Sequence, residues 1–216
     1  MLICTTTNKA IDSLAEKLER EGYGDVMLAF GNKLKLGNAT QRFLLESRIE
    51  NHAIVVSAKR LEQLLDPERL PYSKSAISRI GKIFEETLKL AGNRYLPLMK
   101  CVEEFGLKIM DCVLSGAANV LSHFSMQLRR VRAAVTVHIL KNARLFVCTA
   151  STAVRLPERF SRMCEEYMKE GIPPFVCQQV ILDEAGAMVI LNNLNRNVSS
   201  SQISLAPLFT DAKHYY

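Results

Sequence analysis

The sequence predicts an α/β fold in which a mostly parallel sheet is interrupted by a helical insertion. Three observations predict it: a strand, helix, strand pattern at the start, a long middle whose apolar residues recur at helical spacing, and a return of short apolar runs near residues 145 and 180. The 216 residues are 48% hydrophobic and 23% charged, which supplies a sizeable core and excludes wholesale disorder or collagen-like order. Lys and Arg number 28 against 22 Asp and Glu, a net charge of +6 that permits a polyanionic partner and identifies none.

The first strand is read in Leu2 to Thr7, an apolar and β-branched run. Ile11, Leu14, Ala15 and Leu18 then fall on one helical face, and Gly22 and Gly24 stop that helix. Val26 to Phe30 gives a second strand ending at Gly31-Asn32, so the opening has the form of a βαβ unit. From Gln41 to Lys141 one short strand is expected, Ala53 to Ser57, and otherwise helix. Asp66-Pro67 and Leu70-Pro71 mark a boundary. Beyond it three apolar stripes follow: Ile77, Ile80, Phe84, Leu88, Ala91; then Val102, Phe105, Ile109, Val113; then Leu121, Phe124, Leu128, Val131, Val135. Gly92-Asn93 and Gly116 separate them. Arg129, Arg130 and Arg132 make the end of the third helix basic, which reads as a solvated face.

Strand character returns at Leu145 to Cys148 and at Val176 to Leu182, with a helix from Pro157 to Glu170 between them. The organisation expected is thus residues 1–66 and 142–191 as the sheet-bearing part, 67–141 as a helical insertion, and 192–216, rich in Asn and Ser, as a disordered tail. No apolar run approaches the roughly 20 residues that span a bilayer. An intracellular chain, nuclear or cytoplasmic, with no membrane partner is expected. The six cysteines form no C-x-x-C pair and read as buried, reduced thiols.

The informative residues sit where strands end, because open parallel sheets bind ligands outside the carboxyl ends of their strands. The first strand ends in Thr5-Thr6-Thr7-Asn8-Lys9, the third in Cys148-Thr149-Ala150-Ser151-Thr152, and the last in Asp183-Glu184. Hydroxyls and free N–H groups at a helix start suit backbone phosphates. The bland alternative is β-propensity for the threonines and an N-cap role for Asn8, with Asp12 in the first helical turn suiting the helix dipole. Val180-Ile181-Leu182-Asp183-Glu184 has the form of a Walker B segment, in which a strand-held carboxylate binds hydrated Mg²⁺ and its neighbour activates water.

Taken in order, Leu2 to Leu14, Leu145 to Thr152 and Val180 to Gly186 resemble motifs Ia, Ic and II of superfamily 1 helicases of the nonsense-mediated-decay and senataxin type. That family carries a largely helical insertion between motifs Ia and Ic. The resemblance implies a partial RecA-like P-loop NTPase fold and ATP-dependent RNA or DNA helicase activity. It implies ATP and Mg²⁺ as cofactors, and single-stranded RNA or DNA and other helicase subunits as partners. Thr7, Asn8, Thr149 and Ser151 would contact the nucleic-acid backbone, Asp183 would bind Mg²⁺ through water, and Glu184 would be catalytic. Ala187 stands where members carry a Gln linking nucleotide to nucleic acid, and its methyl group makes no hydrogen bond.

One element of the family is absent from the chain, the Walker A loop G-x-x-x-x-G-K-[ST]. The sole Gly-Lys pair is Gly81-Lys82, with Ala76 and Ile83 at the flanking positions. The chain therefore reads as an internal piece of a motor domain, ending before the strand of the next motif and inactive by itself. A catalytically dead module that binds single strands or another helicase is the alternative.

Overall fold

The computed structural model describes residues 1–65, 71–92, 96–167, 177–183 and 203–204, and is an α/β structure with an all-parallel sheet. Strand β1 (Leu2–Thr5) is buried along its length. It ends two residues before the threonine run does. The Thr5 hydroxyl donates to the Thr7 carbonyl at 3.0 Å, and Thr7 leaves the strand to cap helix α1 (Asn8–Arg20). The buried face of α1 is Ile11, Leu14, Ala15 and Leu18, and Gly22, at φ +84°, turns the chain after it. Strand β2 (Met27–Phe30) leads into a 3₁₀ turn over Lys33–Lys35, then α2 (Asn38–Gln41) and α3 (Leu45–Glu50). The returning chain covers one edge of β2, where the Ala29 N–H donates to the Phe43 carbonyl at 2.9 Å.

Arg48 to Leu140 form a separate compact unit built of helices. Helix α4 (Ala53–Glu62) occupies the place where a strand was expected at Ala53 to Ser57. Its buried residues, Ile54, Val55, Ala58 and Leu61, recur at helical spacing and join the helical core, and that packing overrides the β-propensity of the Ile-Val-Val run. Helices α5 (Lys74–Ala91), α6 (Leu96–Leu114) and α7 (Val120–Asn142) follow as their stripes predict. Gly92 and Gly116 both take positive φ at the breaks. The core of this unit is threaded by aromatic contacts from Phe84 to Phe105 (5.5 Å) and Phe105 to Phe124 (5.9 Å).

The other unit comprises Met1–Ser47 and the chain from Lys141 onward. There β3 (Leu145–Thr149), α8 (Ala150–Ala153), α9 (Leu156–Tyr167), β4 (Val180–Leu182) and β5 (Ile203–Ser204) complete the sheet in the order β2-β3-β1-β4-β5. Residues 168–170 of the expected helix and Val176 of the expected strand lie outside the described residues. Ile203–Ser204 fall within the tail expected to be disordered, yet they pair in parallel with Val180–Ile181. They also supply a strand after the acidic one, which was not expected. The rest of that tail lies outside the described residues.

Both faces of the sheet are covered, which is why its strands are apolar throughout rather than alternating. Ile3, Ala29, Val147 and Ile181 share a core with α1, while Phe30 and Phe146 on the opposite face meet Phe160 of α9 at 5.9 and 6.0 Å.

Candidate nucleic-acid interface at the carboxyl edge of the sheet

Parallel pairing brings the carboxyl ends of β1, β3 and β4 to one edge. Thr5 is the register partner of Thr149, and Leu182 that of Cys4. The Asp183 N–H donates to the Cys4 carbonyl at 2.8 Å, which holds the acidic residue level with the threonines. With neighbouring strands about 4.8 Å apart, the three ends lie within about 10 Å across the sheet.

At the first end, the exposed Thr7 rather than Asn8 is the N-cap, its Oγ1 accepting the Ala10 N–H at 3.1 Å. Accepting that bond occupies a lone pair and leaves the hydroxyl hydrogen to donate outward. Asn8, half-buried, is the first helical residue, and an α-helix leaves its first N–H groups without intrahelical partners. Asp12 lies past the first turn and serves the loop after β2 instead, both of its carboxylate oxygens accepting the Gly37 N–H, at 2.9 and 3.0 Å. A Cβ at Gly37 would stand 3.1 Å from that carboxylate, so a larger residue there would require the Asp12 side chain to shift by a few tenths of an ångström.

At the second end Thr149 is only 9% exposed and caps α8, accepting the Thr152 N–H at 3.3 Å. Its Oγ1 also lies 3.0 Å from the Ser151 hydroxyl and 2.9 Å from that of Thr152. Thr149 thus positions this hydroxyl cluster, and the exposed Ser151 is the group that meets solvent. At the third end Asp183 is half-buried; Glu184 lies outside the described residues.

The Asp12–Gly37 link ties a further segment to this edge. Asn32 to Lys35 follow the carboxyl end of β2, whose Phe30 pairs with Cys148, and the turn is fixed by the Asn32 side chain accepting the Leu34 N–H at 2.9 Å. Lys33 and Lys35 are exposed there, and Leu34 is 93% exposed. The rule that ligands meet strand ends, applied to β2 as well, would have found them in the sequence. The arginines 129, 130 and 132 belong to the helical unit, where Arg132 pairs with Glu50.

The edge offers hydroxyls, an amide, N–H groups and lysines to an anion, together with one carboxylate. Among the described residues no group of three or more His, Cys, Asp or Glu side chains converges to hold a metal. A hydrated Mg²⁺ carried in by a nucleotide asks less of a protein, a single carboxylate at a strand end, and Asp183 is the described carboxylate at the end of β4. The sequence has no G-x-x-x-x-G-K-[ST] run, the glycine-rich cradle whose N–H groups and lysine hold nucleotide phosphates in P-loop proteins. Behind the edge the buried Cys148 thiol is pushed well above the usual thiol range by its hydrogen bond to Cys4 and by burial, which disfavours the thiolate form. Among the described residues no helix is long and apolar enough to cross a membrane. No protein-family model and no curated protein matches the chain.

Proposed function

We propose that the chain is part of an N-terminal RecA-like motor domain of a superfamily 1 helicase, whose own contribution is to hold the backbone of single-stranded RNA or DNA. The observation that carries this reading is the register of the edge, with Thr7-Asn8, Thr149–Ser151 and Asp183 at the ends of adjoining parallel strands. The strand backbone would run across Asn8 and Ser151, with phosphate oxygens accepting from the Thr7 and Ser151 hydroxyls and the helix N–H groups. Lys33 and Lys35 would add charge at the β2 end. Asp183 would take Mg²⁺ through water and Glu184 would activate water only where another segment or chain supplies the phosphate cradle. The missing cradle favours a second reading for the chain alone, a nucleic-acid-binding module without turnover.

A salt titration of single-stranded RNA binding tests this. Binding should show little base preference and weaken with salt at a slope near −0.7 per phosphate neutralised. Asn8→Ala with Ser151→Ala should weaken it at least about tenfold, the size of one hydrogen bond to a charged group. Arg129→Ala with Arg130→Ala should matter less, and heparin should be indifferent to the first pair. The reverse ranking, or no binding at low salt, would sink the proposal.

A further inference from the structure

Among the described residues helix α6 has one apolar face that the core buries and a second apolar stripe that it covers only in part. Leu98, Val102, Phe105, Ile109 and Val113 are buried in the helical core. A second stripe, Leu96, Met99, Leu107, Met110 and Leu114, runs along the same helix and is interrupted by Glu103; Met99 and Met110 are half-buried against the core, while the leucines are 54%, 67% and 65% exposed. A helix that is apolar on both sides is ordinarily covered on both. Next to this stripe, between α5 and α6, lies a groove of about 390 Å³ lined by Gly81, Phe84 and Leu88 on one wall and by Val102, Gly106, Leu107 and Met110 on the other.

Two features say what fits there. Gly81 and Gly106 sit inside helices, where glycine is unfavourable relative to alanine. A Cβ at Gly81 would meet nothing within 4 Å, so internal packing does not require a glycine there, and its absence of side chain deepens the groove. The charged residues lining the groove, Glu85 and Glu103, are both acidic and both exposed, one on each helix.

We infer that this groove docks an amphipathic helix from a partner protein, its leucine-type residues at i, i+3 or i+4, and i+7 on the α6 stripe and its flanking Lys or Arg side chains beside Glu85 and Glu103. The α6 stripe is long enough for a partner helix of about 18 residues, some 27 Å. This holds whether or not the sheet edge binds nucleic acid.

The test uses the full chain and two fluorescent helical peptides of about 18 residues, identical in a Leu series of that spacing and flanked by Lys in one and by Glu in the other. The Lys-flanked peptide should bind saturably and at least tenfold more tightly than the Glu-flanked one. Leu107→Lys and Gly81→Leu should each weaken it at least tenfold. Gly81→Leu should also raise the thermal midpoint, since it improves helix propensity, so its loss of binding cannot be unfolding. Equal affinity for the two peptides, binding untouched by both variants, or no saturable binding would overturn the inference. So would sedimentation showing a dimer that Leu107→Lys dissociates, which assigns the face to a second copy of the chain.

Discussion

The imidazole of His52 caps α4 through Nδ1, which accepts the Ile54 N–H at 3.4 Å, and accepting that bond requires Nδ1 to be unprotonated. His138 stands edge-on to it with ring centroids 6.1 Å apart. Both are held below the ordinary value of 6.5, His52 by burial and then by the charge of His138, and His138 by burial. Groups depressed in the fold are protonated more readily in the unfolded chain. Their contribution to stability is therefore present above pH 6.5 and is lost as pH falls through the folded values. Thermal unfolding followed by circular dichroism should give a lower midpoint at about pH 5 than at about pH 7.5. His52→Asn with His138→Gln, which keeps a capping side chain, should reduce that difference; an unchanged pH dependence would assign it to other groups. At this scale much of the site was legible, because the change from apolar residues to hydroxyls and carboxylates marks where strands surface. The cap fell one residue from its expected place, since Thr7 and Asn8 are both good capping residues and only geometry chooses between them. The Lys33–Lys35 turn was missed because the end of β2 at Gly31-Asn32 was read as a stop and the strand-end rule was not carried to it.

Among the elements, α6 supplies the aromatic ring at the centre of the helical core. Phe105 is fully buried between Phe84, edge-on at 5.5 Å, and Phe124 at 5.9 Å, so one ring joins α5, α6 and α7. Phe105→Ala should cost about 3–5 kcal/mol in denaturant unfolding, and Phe105→Leu distinctly less. A loss under about 1 kcal/mol would mean that the cavity collapses or fills. Helices α5 to α7 could be read from sequence because each repeats its stripe over several turns, and glycines with positive φ mark the breaks between them. Helix α4 was misread, since three consecutive β-branched or aliphatic residues at Ile54 to Val56 imitate a buried strand until the burial of Ala58 and Leu61 is known. The pair Ile203–Ser204 was not legible at all; two residues carry no period, and their strand exists through pairing with β4.

For the whole molecule the missing Walker A loop gives an expectation about activity. Without a phosphate cradle, the isolated chain should show no steady ATP hydrolysis, with or without single-stranded RNA. Robust turnover that disappears in Glu184→Gln would mean that another loop holds the phosphates. The strand order also has a temporal meaning. β1 and β2, consecutive in the chain, are not hydrogen-bonded to each other, because β3 lies between them and pairs with both. On a ribosome adding about 5–20 residues per second, the 114 residues between β2 and β3 take about 6–23 s to emerge. Through that interval the helices of residues 48–140, whose contacts are nearer in sequence, can assemble, while two apolar strands wait with open edges. A nascent chain stalled before residue 145 should accordingly be held by chaperones that recognise extended apolar segments, and one extended past β3 should be released.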